Sequence, residues 1–99
     1  MKVIIETGTP VVAKLQGRLD TAAAVEVTPD FQSLVQYADG HIIIDCGQLE
    51  YIASSGLRLL LGLRKDVAAK SGKLQIRNIN ADIRQVFMMT GFISLFEII

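Results

Sequence analysis

Three consecutive isoleucines, Ile42 to Ile44, are the feature that most limits how this chain can fold. They stand between His41 and Asp45 and show no alternation of apolar and polar residues. A strand with one solvated face alternates, so an unbroken apolar run is typical of a strand that is covered on both faces. We therefore predict a central strand over His41–Asp45, followed by a loop over residues 47–51.

The segments before this run predict a hairpin. Val3-Ile4-Ile5 is β-branched and ends at the turn cluster Gly8-Thr9-Pro10. The next run, Val11 to Leu19, alternates in part, as a half-buried strand does. Because the turn between them is short, we expect the two strands to pair in antiparallel fashion.

A proline complicates the helical region that follows. Asp20-Thr21 ends the second strand and the alanines that come next favour helix. A proline ring clashes with the preceding helical turn, so Pro29 predicts an interruption. We therefore place the start of the main helix after Thr28, with Thr28 as its N-cap and Pro29 at its first position. The pair Asp39-Gly40 is expected to end it.

The rest of the chain alternates helices with strands. The predicted elements are a helix over residues 56–69, a turn over 70–73, a strand over 74–77, a helix capped by Asn80 and ended by Gly91, and a short strand over 95–99. The element order is β-β-α-β-α-β-α-β. This order predicts an α/β domain: a mixed, mostly parallel sheet with an N-terminal β-hairpin and three helices packed on it. We expect residues 1–99 to form this single domain.

Composition narrows the possible environments and partners. Ten Lys and Arg offset ten Asp and Glu, and this neutral balance argues against direct nucleic-acid binding. The single cysteine, Cys46, allows no internal disulfide and favours a reducing compartment. The longest strongly apolar run, Leu59 to Leu63, is far shorter than the ~20 residues that span a bilayer. We expect a cytoplasmic protein without a membrane span.

Few residues in the chain could support enzyme or metal chemistry. His41 is the only histidine, and Cys46 has no sequence neighbour that would activate it. The glycines form no phosphate-binding motif. Asp20 and Asp45 follow consecutive predicted strands and could form a carboxylate pair, although capping is a common role for such residues. We therefore predict no catalytic residue, no metal site and no cofactor.

One segment, Tyr51 to Leu57, combines polar residues with a special position. It joins the central strand to a helix, at the edge of a parallel sheet where ligands and partners bind. A serine at this junction lies beside free backbone N–H groups and the positive end of the helix dipole, which would accept a phosphate on its hydroxyl. The alternative is that Ser54 or Ser55 simply caps the helix.

The whole chain resembles a STAS domain of the anti-sigma factor antagonist type. The resemblance is carried by Gly17-Arg18-Leu19-Asp20-Thr21 and by HIIIDCGQLEYIASSGLRLLLGLRKDVAAKSGKLQIRNINADIRQVFMMTGFISLFEI. It implies that Ser55 is phosphorylated by a partner anti-sigma factor, a GHKL-type serine kinase. The unmodified antagonist would bind this partner and free a sigma factor, and the phosphorylated form would dissociate. The partner-binding residues that it implies are Asp20, Thr21, Ser54, Ser55, Gly56, Leu57 and Arg58.

The chain departs from the family pattern at one informative position. Ala53 stands where the family has an acidic residue before the two serines. This departure keeps a second hypothesis open, a STAS adaptor subunit of a lipid-transport ATPase or of a stress-signalling scaffold, without phosphorylation. A third and weaker hypothesis, a hydrolase that uses Ser55, needs His41 as its base, and His41 lies at the opposite end of the strand.

Apolar residues on the predicted helices add two expectations. Met88 and Met89 could offer a soft surface to a partner, but we expect at least one of them to fill the core. Leu57, Leu59 and Leu63 spread wider than one helical face requires, so we expect Leu59 or Leu63 to be exposed.

Overall fold

The sheet of this protein has five strands whose spatial order follows their order in the chain. The computed structural model describes all 99 residues. The strands are β1 (Lys2–Glu6), β2 (Val11–Leu19), β3 (His41–Ile52), β4 (Lys73–Arg77) and β5 (Glu97–Ile98), and the helices are α1 (Thr21–Leu34), α2 (Ser54–Ala69) and α3 (Ala81–Thr90). β1 pairs with β2 in antiparallel fashion and every later pair is parallel, so the predicted hairpin and mostly parallel sheet are confirmed.

All three helices lie on one face of the sheet. Each parallel connection moves one strand further across the sheet in the same direction. Because such crossover connections are right-handed, their helices all lie on the same face of the sheet. The buried side chains of α1, α2 and α3 accordingly join a single cluster of 23 core residues with the inward side chains of the strands. The lengths of these helices and their hydropathy fall short of what a bilayer crossing needs.

The three isoleucines are buried on two different faces. Ile42 and Ile44 are fully buried in the core below the helices. Ile43 points to the helix-free face, where only 5% of it is exposed because the side chains of neighbouring strands cover it. Its in-register neighbours there are Val12 on β2 and Gln75 on β4. The prediction of a strand covered on both faces is therefore confirmed, but only one of the covers is helical.

The prediction that Pro29 separates two helical segments is wrong, because α1 runs through it without a break. Asp20, not Thr28, is the N-cap, and the Thr28 hydroxyl donates to the Ala24 carbonyl at 2.7 Å. The carbonyl that loses its partner to the proline belongs to Val25, which is 74% exposed, so water can solvate it. Burial of the apolar stripe Ala23, Ala24, Val27, Phe31 and Leu34 stabilises the helix across this position.

The loop predicted over residues 47–51 is also wrong. β3 continues to Ile52, because its second half pairs with β2 up to the Leu19–Ile52 contact. Two register shifts interrupt this ladder, and such bulges break the alternation by which a strand is recognised in sequence. The longer strand brings the end of β3 level with the end of β2.

In the last third of the chain, the structure agrees closely with the elements predicted from the sequence. The Asn80 side chain accepts a hydrogen bond from the Ile83 N–H at 2.8 Å, which confirms it as the cap of α3. Gly91 ends this helix in the left-handed conformation, with φ of 76°. The predicted strand over residues 95–99 is reduced to Glu97–Ile98, because residues 92–94 form a 3-10 turn first.

Candidate partner-binding and phosphorylation site

Two strand-to-helix junctions lie side by side at one edge of the sheet. β2 and β3 end at the paired residues Leu19 and Ile52, and the Ala53 N–H donates to the Leu19 carbonyl at 2.8 Å. The start of α1 and the start of α2 are thereby fixed next to each other. Parallel strands with their helices on one face place these helix N-termini at the same edge of the domain.

Asp20 has a defined structural role at the first junction. Its Oδ1 accepts a hydrogen bond from the Ala23 N–H at 2.8 Å, which caps α1. Asp45 is not its neighbour, because Asp45 pairs with Lys14, five residues before the end of β2. At ~3.3 Å per residue the two carboxylates are separated by roughly 17 Å or more along the strands. A catalytic carboxylate pair is excluded.

The second junction has no side-chain cap. Ala53 occupies the N-cap position of α2 with an extended backbone (φ −91°, ψ 171°) and has no oxygen to offer. Ser54 and Ser55 are the first two helical residues, so the interpretation of either serine as the cap is wrong. The N–H groups of Ser54, Ser55 and Gly56 have no protein acceptor, and they concentrate positive potential at this helix end.

The two serines face different surroundings. Ser54 is exposed, whereas Ser55 is half-buried and lines a groove between α1 and α2. The residues that line this α1–α2 groove are Thr21, Ala24, Val25, Thr28, Ser55, Arg58 and Leu59. A second hollow that shares Thr28, Arg58 and Leu59 extends the groove along α2 as far as Asp66. Ser55 therefore has a hydroxyl at one end of a continuous interhelical surface.

Gly56 and Leu57 are buried, and they hold the helix rather than face outward. A β-carbon on Gly56 would lie 2.6 Å from the Leu19 Cγ and 2.9 Å from the Ile52 Cγ1, so only glycine lets α2 start this close to the sheet. Leu57 is 5% exposed and belongs to the core. The predicted residues that can meet a partner directly are Asp20, Thr21, Ser54, Ser55 and Arg58, which we call the junction surface.

Three further residues lie at this edge, and none of them was assigned a role of its own from the sequence. Val25 is 74% exposed in the groove, and it was missed because Pro29 hid the helix to which it belongs. Arg18 stacks on the Tyr51 ring with its guanidinium carbon 4.4 Å from the ring centroid. The extension of β3 makes these two residues cross-strand neighbours.

His41 and Cys46, the other side chains that could take part in catalysis, lie away from Ser55 and have structural roles. His41 begins β3, at the end opposite Ser55, and its Nε2 lies 2.6 Å from the Gln75 Oε1. Burial raises the pKa of the Cys46 thiol to about 12, and the negative charge of Asp45 adds to the effect. The hydrolase hypothesis therefore lacks a base beside Ser55.

The expectations for the exposed apolar residues need correction. Met88 is 62% exposed and Met89 is 80% exposed, so neither fills the core. The core side of α3 is already occupied by Ile83 and Phe87. The prediction that Leu59 or Leu63 is exposed is also wrong, because Leu63 is buried and Leu59 is half-buried, where it lines the α1–α2 groove.

The structure is that of a small α/β domain. It has one mostly parallel sheet, three helices on one face, and the starts of α1 and α2 side by side at one edge. The family model of the STAS domain matches residues 1–99, and the chain belongs to this family. BtrV of Bordetella bronchiseptica, described as a candidate anti-sigma factor antagonist, is 31% identical over 87 residues, which cover 88% of this chain and 75% of BtrV.

Solved structures agree with this assignment. The anti-sigma factor antagonist SpoIIAA in its unphosphorylated form is 25% identical, with a TM-score of 0.75 over 99% of this chain and 87% of that one. The Bacillus cell fate determinant SpoIIAA in its phosphorylated form is 27% identical, with a TM-score of 0.73 over 99% of this chain and 91% of that one. The predicted fold class and the family resemblance are confirmed.

Proposed function

We propose that this chain is an anti-sigma factor antagonist that binds a kinase-type anti-sigma factor and is released when Ser55 is phosphorylated. The observation that carries the proposal is the placement of the Ser55 hydroxyl, which lies in the α1–α2 groove beside three unpaired N–H groups. The relatives support it, because two are named as anti-sigma factor antagonists and SpoIIAA occurs in phosphorylated and unphosphorylated forms.

The physical basis of the switch is a charge placed in the middle of a contact surface. A phosphate brings about −1.5 to −2 charges and three acceptor oxygens. The N-terminus of α2 tolerates these charges within the free domain, because its N–H groups and dipole favour an anion. A docked partner that covers Ser55 would have to desolvate or repel the same charge, so it is expelled while the antagonist stays folded.

Ala53 removes one group that could assist a kinase reaction at Ser55. A family carboxylate at this position would cap α2 and could orient the neighbouring hydroxyl, and Ala53 does neither. We therefore expect the kinase to supply the base that takes the Ser55 proton. The adaptor function without phosphorylation is the second candidate, and Ala53 is the specific observation that favours it.

The test is to purify the chain with its bound proteins and to incubate it with the captured ATPase and ATP. We expect a small serine kinase of the GHKL type to co-purify, and mass spectrometry to place the phosphate on Ser55. Ser54→Ala should still acquire its phosphate on Ser55, because Ser54 lies outside the groove, whereas Ser55→Ala should remain unmodified and bound.

Two outcomes would decide against the proposal. Recovery of a transporter ATPase subunit with no phosphate on the chain would favour the adaptor function. Retention of the kinase by Ser55→Asp as firmly as by the wild type would remove the electrostatic switch, even if binding itself is real.

A further inference from the structure

Arg58 is an exposed cation that nothing in the protein neutralises. The only ion pairs of the chain are Lys14–Glu6 and Arg77–Asp45. Arg58 lines the α1–α2 groove together with Ser55, three residues before it on the same helix. Residues with this spacing are neighbours on a helix surface, with β-carbons ~5–6 Å apart.

We propose that Arg58 binds the phosphate of Ser55 and holds it in the α1–α2 groove. This inference rests on the proposed function, since it concerns the phosphorylated form, and it adds the residue that receives the charge. The guanidinium would donate to the phosphate oxygens in a bidentate contact, which is the geometry that arginine favours. The exposed Thr21, on the opposite wall of the groove, offers a further hydroxyl donor.

Few acidic side chains in the groove could compete with a phosphate on Ser55 for the Arg58 guanidinium. The other residues around Ser55 at this end are uncharged, namely Thr21, Ala24, Val25, Thr28 and Leu59. Two acids flank this groove: Asp20 stands directly before Thr21, where its carboxylate already caps α1 through the Ala23 N–H, and Asp66 shares the adjoining hollow with Arg58. Asp66 lies eight residues away, about 12 Å along the helix, whereas Ser55 lies about 4.5 Å away. The phosphate, with twice the charge, is therefore the preferred partner of Arg58.

This pairing would give phosphorylation two effects on the junction surface. The phosphate adds a negative charge where a partner docks, and Arg58 turns from an outward-facing cation into an internal counter-ion. A partner that uses an acidic group to contact Arg58 loses that contact at the same moment. The guanidinium also keeps the phosphate folded against the groove, so the free phosphorylated domain stays compact at this edge.

The pairing can be measured without any kinase. The full chain is produced with phosphoserine inserted at position 55 during translation, and its phosphorus NMR signal is followed as the pH is changed. A nearby cation favours the dianion and lowers the second pKa of the phosphate, which is about 6 when unperturbed. We expect Arg58→Gln to raise this pKa by ~0.15–0.4 pH unit relative to the wild-type arginine, which corresponds to one helix-surface pair energy, because the dianion carries one charge more than the monoanion.

Matched variants make the result specific. Arg84→Gln removes another exposed arginine, on α3 and outside the groove, and should leave the phosphate pKa unchanged. Arg58→Lys should retain part of the effect, because it keeps the charge without the planar fork. The difference between wild type and Arg58→Gln should also shrink in 0.5 M salt. Amide NMR spectra of each variant verify the fold.

An Arg58→Gln titration that coincides with the wild-type titration, in a folded protein, would overturn the inference and leave the proposed partner binding intact. Conversely, the proposed function fails if no kinase binds the chain or modifies Ser55, and the phosphate titration with inserted phosphoserine does not depend on that outcome.

Discussion

Adding one methyl group to either of two glycines of α2 should change stability in opposite directions. Gly56 is buried in the first turn, and a β-carbon there would lie 2.6 and 2.8 Å from two carbons of Leu19 and 2.9 Å from the Ile52 Cγ1. Gly62 is exposed in the middle of the same helix, and a β-carbon there would meet nothing within 4 Å. The substitution and the helix are the same, so the difference isolates the packing against the sheet.

The magnitudes follow from the two environments. Alanine in an exposed helix interior is favoured over glycine by about 1 kcal/mol, so Gly62→Ala should raise the free energy of unfolding by up to ~1 kcal/mol. At Gly56 this gain is opposed by overpacking, which costs about 1–3 kcal/mol and more when the neighbours cannot move. Leu19 and Ile52 are themselves buried. Because these neighbours cannot move freely, the overpacking cost falls in the upper part of this range, and after the alanine gain is subtracted we expect Gly56→Ala to lower the free energy of unfolding by ~1–2 kcal/mol.

Urea denaturation followed by circular dichroism measures both variants against the wild type. For a domain of this size, 1 kcal/mol corresponds to roughly 4–8 °C in Tm, so a thermal scan should separate the variants as well. Gly56→Ala should also weaken partner binding, because the clash pushes the first turn of α2, and Ser55 with it, away from the sheet. Equal or greater stability of Gly56→Ala relative to Gly62→Ala would refute the role assigned to the close contact.

Three other predictions concern single side chains. Ala53→Asp should stabilise the protein by ~0.5–2 kcal/mol in urea denaturation at pH 7, because it supplies the missing cap of α2; no gain would mean that the first-turn N–H groups are already well solvated. Burial raises the pKa of Asp45, but hydrogen bonds from Gly47, Arg77 and Asn78 outweigh it and hold that pKa below 3.8. Its carboxylate therefore stabilises the fold above pH 3.8 and less as the pH falls through the folded pKa, so the stability deficit of Asp45→Asn should shrink in acid; a constant deficit would contradict this. Cys46, with a pKa of about 12, should resist iodoacetamide at pH 8 until the protein is unfolded, as mass spectrometry can check.

Local signals allowed much of the fold to be predicted. The caps of α3 were recognised from Asn80 and Gly91, because capping depends on residues within one helical turn. The hairpin followed from its turn residues and partial alternation. The errors at Pro29 and in the second half of β3 share one cause: contacts distant in sequence stabilise α1 across the proline and pair residues 48–52 with β2.

The candidate site was predicted only in part, for the same reason. The Ser-Ser-Gly-Leu turn could be found by its position and family resemblance, but the direction in which each residue points depends on helix packing. Gly56 and Leu57 proved to be buried, and Val25 proved to share the groove with Ser55. Val25 cannot be placed in the groove while the start of α1 is misplaced, and the burial of Gly56 depends on its contact with Leu19, which lies on another strand.

The sequence by itself determined the kinds and order of the elements, because backbone preferences and apolar periodicity act over a few residues. Only the tertiary structure decided that strand order follows chain order, that all helices share one face, and that Thr21, Ser55 and Arg58 line one groove. These features depend on burying apolar surface between segments that are distant in the chain, and that free energy belongs to the assembled sheet rather than to any one segment.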